Sequence, residues 1–161
     1  MVDVYIGLGS NLEHPAEKVR QARIIIAKHP QMREIKFSSL YSSPPMGPKD
    51  QPDYINAVIS IKTDLLATEL LSELQGIESD FGRDRSVMRW GARTLDLDIL
   101  IYGDQQIDSP NLKVPHIGLA ERAFVLYPLQ EIAPVDLSVP GKGDINSLVL
   151  QCPLGGLEKI D

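Results

Sequence analysis

Two stretches of helical periodicity, each set between stretches of strand character, give residues 2–102 the order β-α-β-β-α-β. DVYIGLG reads as a first strand that closes in a glycine-rich turn, Gly7-Leu8-Gly9-Ser10-Asn11. Pro15 suits the first turn of a helix, where its missing N–H would have no intrahelical partner. Val19, Ala22 and Ile26 then share a face, and Pro30 closes the element. EIKFSSLYSS alternates as a second strand, and YINAVISIKT reads as the third. Leu66, Leu70, Leu74, Ile77 and Phe81 recur at helical spacing, with Gly82 at the C-cap position. TLDLDILIY is the fourth strand. This order predicts an α+β fold with a ferredoxin-like core, an antiparallel sheet carrying both helices on one face and leaving the other available. From Ile107 a C-terminal extension is expected: a short strand, a proline-bounded loop, a helix around RAFVLYPLQEIA that Pro128 weakens, and a short helix in INSLVLQC. At 161 residues the chain is one domain by length, with a core over about 1–103 and the extension over about 104–161.

Net charge is −6, which argues against general affinity for polyanions. The charge is uneven. Arg83, Arg85, Arg89 and Arg93 stand against Asp84 alone, a local balance of +3 that leaves −9 on the rest of the chain. A compact basic patch on an acidic protein points to a small anionic ligand rather than a nucleic acid. No apolar run approaches the roughly 18 residues of a membrane span. The opening VDVYIGLG lacks the basic n-region and cleavage site of a signal peptide, and the single Cys152 rules out an internal disulfide. A cytoplasmic protein is expected. No other cysteine accompanies the three histidines at zinc spacing.

RWGARTLDLDIL, residues 89–100, raises the functional question. Alternation puts Asp96 and Asp98 on one face of the fourth strand and Leu95, Leu97 and Ile99 on the other. Two carboxylates about 6 Å apart repel by about 3 kcal/mol at an effective dielectric near 20. A bare Asp-x-Asp can be a solvent-facing strand edge. Here the strand is otherwise strongly apolar and an arginine segment runs directly into it, so a compensating cation is expected. Paired carboxylates suit Mg²⁺, which takes one or two of them together with substrate phosphates, and two such ions can straddle a phosphoryl group in transfer. Arginines nearby would hold phosphates through bidentate hydrogen bonds.

Phosphoryl-type transfer is thus the leading class, although the common nucleotide motifs are missing. GLGSNL has Leu12 where the dinucleotide fingerprint needs its third glycine, and no GxxxxGK[ST] occurs. The kinase HRD signature is absent too. SPPMGPKDQPD, residues 43–53, is an eleven-residue loop with four prolines. Loops that long lean functional in compact domains.

With these residues in view, the chain resembles the hydroxymethyldihydropterin pyrophosphokinases of folate biosynthesis. RWGARTLDLDIL is similar to the family signature, and YIGLGSNL, SSPPMGPKDQPDYINA and VPHIGLAERAFVLYPLQEIAP match in order and spacing to about Pro140. The resemblance implies transfer of the terminal pyrophosphoryl unit of ATP to the hydroxymethyl group of a reduced pterin, with release of AMP. It assigns catalytic roles to Arg83, Arg93, Asp96 and Asp98, the two aspartates holding two Mg²⁺ ions. Ser43, Pro44, Met46, Tyr54, Asn56, Trp90 and Phe124 match the family's pterin pocket. Gln75, Arg85, Arg89, Arg93, Ile99, His116 and Arg122 match its ATP contacts. The chain departs from the usual family residues at Ser86, Ala92, Asn111, Lys113 and Ile117. ATP and the pterin are the expected partners, with neither nucleic acid nor membrane. A monomer is expected, with oligomeric state left open. Two rival readings stand beside this one: a nucleotidyltransferase that uses its Asp-x-Asp to move an AMP unit, and a non-enzymatic ferredoxin-like binding module.

Overall fold

The computed structural model describes residues 1–45, 51–82 and 95–161. In chain order they form β1 (Val2–Ser10), α1 (Pro15–Lys28), β2 (Met32–Phe37), β3 (Tyr41–Ser43), β4 (Tyr54–Thr63), α2 (Ala67–Phe81), β5 (Asp96–Tyr102), β6 (Ile107–Asp108) and β7 (Lys113–Val114). Then follow a 3-10 turn (Leu119–Glu121), α3 (Ala123–Ile132), β8 (Ser138–Val139), β9 (Gly143–Asp144), α4 (Ile145–Leu150) and β10 (Glu158–Lys159). The main sheet runs β10-β3-β4-β1-β5, with β2 also paired to β4, and every pairing is antiparallel.

β1 continues straight through the glycines, each of which is paired on both sides of the strand, so the expected turn at Gly7–Asn11 is instead the end of a strand. The expected second strand is broken in two. At the break the Ser38 hydroxyl accepts the Val58 N–H at 2.9 Å, and the Ser39 N–H goes to Glu131 rather than to the ladder. Side chains thus take over two backbone positions and the strand cannot run on. In α2, Glu69 reaches back to accept the Leu66 N–H at 2.8 Å, and the Gly82 N–H closes the other end on Glu78 and Ser79 carbonyls.

The first core lies between the sheet and α1 with α2, where Val19, Ala22 and Ile26 meet Leu70, Leu74 and the inward residues of β1, β4 and β5. The opposite face is not left open. Val125, Leu126, Leu129 and Ile132 of α3 pack there on Tyr5, Val58, Leu100 and Ile101. The reason is legible in β4, seven of whose consecutive residues are buried, as befits a strand covered on both sides. Pro128 sits inside α3 without ending it. It forgoes one intrahelical hydrogen bond, but full burial of Leu126 and Leu129 contributes on the order of 1.5–3 kcal/mol each and offsets the loss.

Glu131 ties α3 to the β2–β3 break. Its carboxylate accepts from the Ser39 N–H and hydroxyl and from the Tyr41 hydroxyl at 2.6 Å. Burial alone would raise its pKa, but these hydrogen bonds outweigh burial and hold it below the usual 4.5. A folded-state pKa below the unfolded one gives stability that is complete above the unfolded value and is lost as pH falls through the folded value. Glu131→Gln, which weakens charge-assisted hydrogen bonds at a solvent-screened site, should therefore be less stable than the parent at pH 7 by about 0.5–1 kcal/mol. The gap should narrow on acidification below about pH 4.5. Urea unfolding of both proteins at pH 7 and at acid pH checks this; a gap that does not change with pH contradicts it.

Candidate active site

Register builds the site. On the face away from α1 and α2, Gly9 lies between Asn56 of β4 and Asp96 of β5, and Gly7 lies between Val58 and Asp98. Side chains on the two flanking strands therefore look across a strip of bare backbone. With neighbouring strands about 4.8 Å apart, Asn56 and Asp96 face each other across roughly 10 Å. A cleft of about 250 Å³ opens over this strip, its floor Gly7 and Gly9. Ser43, Pro44, Tyr54 and Asn56 wall one side, the two aspartates the other, and His116, Arg122 and Phe124 overhang it.

A β-bulge sets the far end. Tyr5 pairs with Ile101 and Ile6 with Ile99, so Leu100 is the extra residue in β5. Leu97 and Ile99 belong to the core under α1 and α2, whereas Leu100 and Ile101 both belong to the core under α3. The bulge lets one short strand present acids to the cleft and then a double apolar anchor to α3.

Asn56 is 5% exposed and donates through Nδ2 to the Ser43 hydroxyl at 2.8 Å. Its Oδ1 lies over Gly9, 3.1 Å from the position a Cβ there would take. Tyr54 has its pKa raised, by burial first and by Asp96 second, so its hydroxyl is a neutral donor. His116 accepts the Gly118 N–H at Nδ1, 3.1 Å away, which leaves the proton of the neutral ring on Nε2, 3.9 Å from Asp98 Oδ2. Burial lowers its pKa against the pull of Asp98, and Arg122 adds to the lowering. The ring is thus neutral at pH 7. The Arg122 guanidinium lies 5.7 Å from the Phe124 ring centre, a cation–π contact, and passes directly over Gly118, where a Cβ would stand 2.5 Å from Nε.

A second cleft, about 280 Å³, lies on the other side of β5. Leu71 of α2 and Ile99 supply apolar walls, and Asn111, Lys113 and Ile117 close it. Asp98 and His116 line both clefts. Two ligands bound side by side would therefore meet at one carboxylate.

Among the described residues, no three His, Cys, Asp or Glu side chains form a metal cluster. The Asp96/Asp98 pair instead fits a hard divalent ion that completes its shell with a ligand's own oxygens.

The structure brings Ser43, Pro44, Tyr54, Asn56, Asp96, Asp98, His116, Arg122 and Phe124 to the first cleft, and Ile99 with His116 to the second. Arg122 faces the first cleft and not the second, and Gln75 is an exposed residue of α2 that lines neither. Met46, Arg83, Arg85, Arg89, Trp90 and Arg93 lie outside the described residues. Sequence reasoning missed Gly7 and Gly9 as the floor; their two-residue spacing inside a strand was the available signal. It also missed Leu71, an apolar residue just off the buried stripe of α2.

An antiparallel α+β domain with two clefts sharing one acidic strand is a device for joining two small ligands. Comparison with known proteins places it more closely. Residues 5–134 match the family described as 7,8-dihydro-6-hydroxymethylpterin-pyrophosphokinase (HPPK). Two relatives named 2-amino-4-hydroxy-6-hydroxymethyldihydropteridine pyrophosphokinase are close throughout. The one from Pseudomonas aeruginosa is 46% identical over 98% of this chain and 96% of its own length. The Haemophilus influenzae one is 48% identical over 94% and 93%. The chain belongs to the HPPK family. A solved structure of Plasmodium falciparum HPPK-DHPS superposes with a TM-score of 0.70 at 14% identity, covering 94% of this chain. It shares the fold, and this chain spans 43% of its length. No helix among the described residues is long and apolar enough to cross a membrane.

Proposed function

We propose that this chain transfers the terminal pyrophosphoryl unit of MgATP to the hydroxymethyl oxygen of 6-hydroxymethyl-7,8-dihydropterin, releasing AMP, as a step of folate biosynthesis. The observation that carries the reading is that Asp98 and His116 line both clefts, so a heterocycle in one and a nucleotide in the other meet beside the acid pair. In the first cleft a flat bicycle lies on the glycine strip. Tyr54 and Phe124 offer ring faces, and Asn56, oriented by Ser43, presents an amide to the donor-rich edge of the pterin. In the second cleft Leu71 and Ile99 suit a purine, and His116 offers its Nε2–H to a ligand at the junction.

Asp96 and Asp98 would hold Mg²⁺, two ions in the family pattern. Bound there, magnesium neutralises phosphate charge and makes a hydroxyl easier to ionise. The residues' own work is to hold donor and acceptor in line, which can account for a large part of the barrier reduction. Arg83 and Arg93 as phosphate-stabilising catalytic residues, Arg85 and Arg89 on ATP, and Met46 and Trp90 at the pterin are proposals from the family pattern. So is ATP contact by Gln75 and Arg122. The strand order and its antiparallel pairing support a ferredoxin-like core over about 1–103 with an extension over about 104–161. A single catalytic domain, monomeric and cytoplasmic, belongs to the same proposal.

An assay with reduced hydroxymethylpterin, ATP and Mg²⁺ tests the reading: AMP and the pterin diphosphate are expected. Free pyrophosphate with an adenylylated product would instead make it a nucleotidyltransferase. Asn56→Ala is expected to weaken reduced-pterin binding by about 10²-fold, because a buried amide that orients the ligand is lost. Affinity for a non-hydrolysable ATP analogue should change less than twofold. Calorimetric titration of each ligand separately checks both, and an equal loss for the two ligands would place Asn56 outside the pterin pocket.

A further inference from the structure

The wall of the first cleft at Ser43 and Pro44 is backed by a part of the chain that the family match does not reach. That match ends at residue 134, and the strand behind β3 is β10, residues 158–159. Glu158 pairs with Ser42 and Lys159 with Tyr41, and the Ile160 N–H donates to the Leu40 carbonyl at 2.9 Å. The chain arrives there through a tight turn in which the Leu157 N–H donates to the Leu154 carbonyl at 3.1 Å. Both central residues are left-handed glycines, Gly155 at φ +59° and Gly156 at φ +89°. The two differ in what they face. A Cβ on Gly155 would meet only the Pro153 carbonyl, at 3.9 Å, whereas one on Gly156 would stand 2.9 Å from Pro44 Cγ and 3.4 Å from Cδ. Leu157, buried beside the turn, anchors it.

We propose that Gly156 and β10 form a positioning element for the reduced-pterin cleft, Gly156 setting how far the Pro44 ring stands from the glycine floor. This rests on the assignment of the pterin to that cleft. Pro44 follows directly on β3, whose outer edge is held only by β10 among the described residues. Pterin affinity is therefore set partly from outside the cleft.

The test compares Gly156→Ala with Gly155→Ala, two variants that place an alanine at a left-handed position of the same turn. Gly156→Ala is expected to bind reduced hydroxymethylpterin about tenfold more weakly, a small displacement of a wall residue being enough for that. Its affinity for a non-hydrolysable ATP analogue should stay within twofold of the parent, and kcat at saturating pterin should be retained. Gly155→Ala should bind both ligands as the parent does. If Gly156→Ala does not fold, Gly156→Asn in the full chain carries the same comparison, since asparagine tolerates the left-handed region while still presenting a Cβ to Pro44, and the same loss of pterin affinity with nucleotide affinity kept is expected. Unchanged pterin binding in Gly156→Ala overturns the inference, and so does an equal loss for both ligands or an equal loss in Gly155→Ala. A parent protein that binds no reduced pterin at all would overturn the functional reading itself, which keeps the two failures apart.

Discussion

Asp98→Ala is expected to fold as the parent does and to lose Mg²⁺-dependent AMP release, with kcat/KM down by at least about 10³-fold. The two halves of this expectation have different physical grounds. The Asp98 side chain is 52% exposed and projects over a glycine, so no packing depends on it; its described neighbour is His116 at 3.9 Å. Substitutions of that kind usually change stability by less than about 0.5 kcal/mol. Activity is another matter, because Asp98 is the carboxylate common to both clefts. Removing it would take away half of the charge proposed to hold magnesium at the junction of the two clefts. Asp98→Asn, which keeps the shape and removes only the charge, should fall nearly as far. The measurements are AMP production at saturating MgATP and the urea midpoint. A loss of less than tenfold in both variants would take the acid pair out of the mechanism.

Gly9→Val is expected to abolish reduced-pterin binding, by at least about 10²-fold, without loss of stability. Gly9 is the floor of the first cleft, and even a Cβ there stands 3.1 Å from Asn56 Oδ1. A branched side chain would occupy the space the heterocycle needs and push the amide away from it. Valine is a better strand residue than glycine, which costs roughly 0.5–1 kcal/mol in a strand interior. That gain offsets the cost of displacing the buried Asn56 amide, so the thermal midpoint should stay close to the parent's. Gly7→Ala provides the contrast, since its Cβ meets the flexible Leu100 methyl carbons at 3.4 and 3.5 Å, an ordinary contact. Its effect on pterin affinity should be much smaller. Thermal melts together with pterin titrations decide the matter. A Gly9→Val protein that binds pterin normally would mean that the ligand does not lie on this strip.

The elements that local pattern encodes were legible beforehand. β4 covers the same residues as the strand read in YINAVISIKT, and α2 ends at Phe81 with Gly82 as its cap. Asp96 and Asp98 face away from the core that buries Leu95, Leu97 and Ile99. What pattern could not reveal depended on a distant partner. The break between β2 and β3 comes from a hydroxyl that captures the Val58 N–H and from Glu131, some ninety positions along the chain from Ser39. Pro128 counted against the helix expected around RAFVLYPLQEIA because the apolar surface that stabilises α3 lies on β1, β4 and β5, out of sight of any local window. Gly7 and Gly9 looked like a turn because a glycine pair is read by its freedom, and only pairing on both sides shows that its lack of side chains is what serves the site.

The sequence by itself determined the succession of strands and helices, the acid pair on one strand face, and the family signature that surrounds it. These depend on periods of two and 3.6 residues and on residue type, which are properties of neighbours along the chain. Only the tertiary structure decided that Gly9 falls between Asn56 and Asp96, that Asp98 and His116 line two clefts at once, and that residues 154–160 back the Ser43–Pro44 wall. Register and proximity arise from which surfaces bury each other, and that choice is made among residues far apart in the chain.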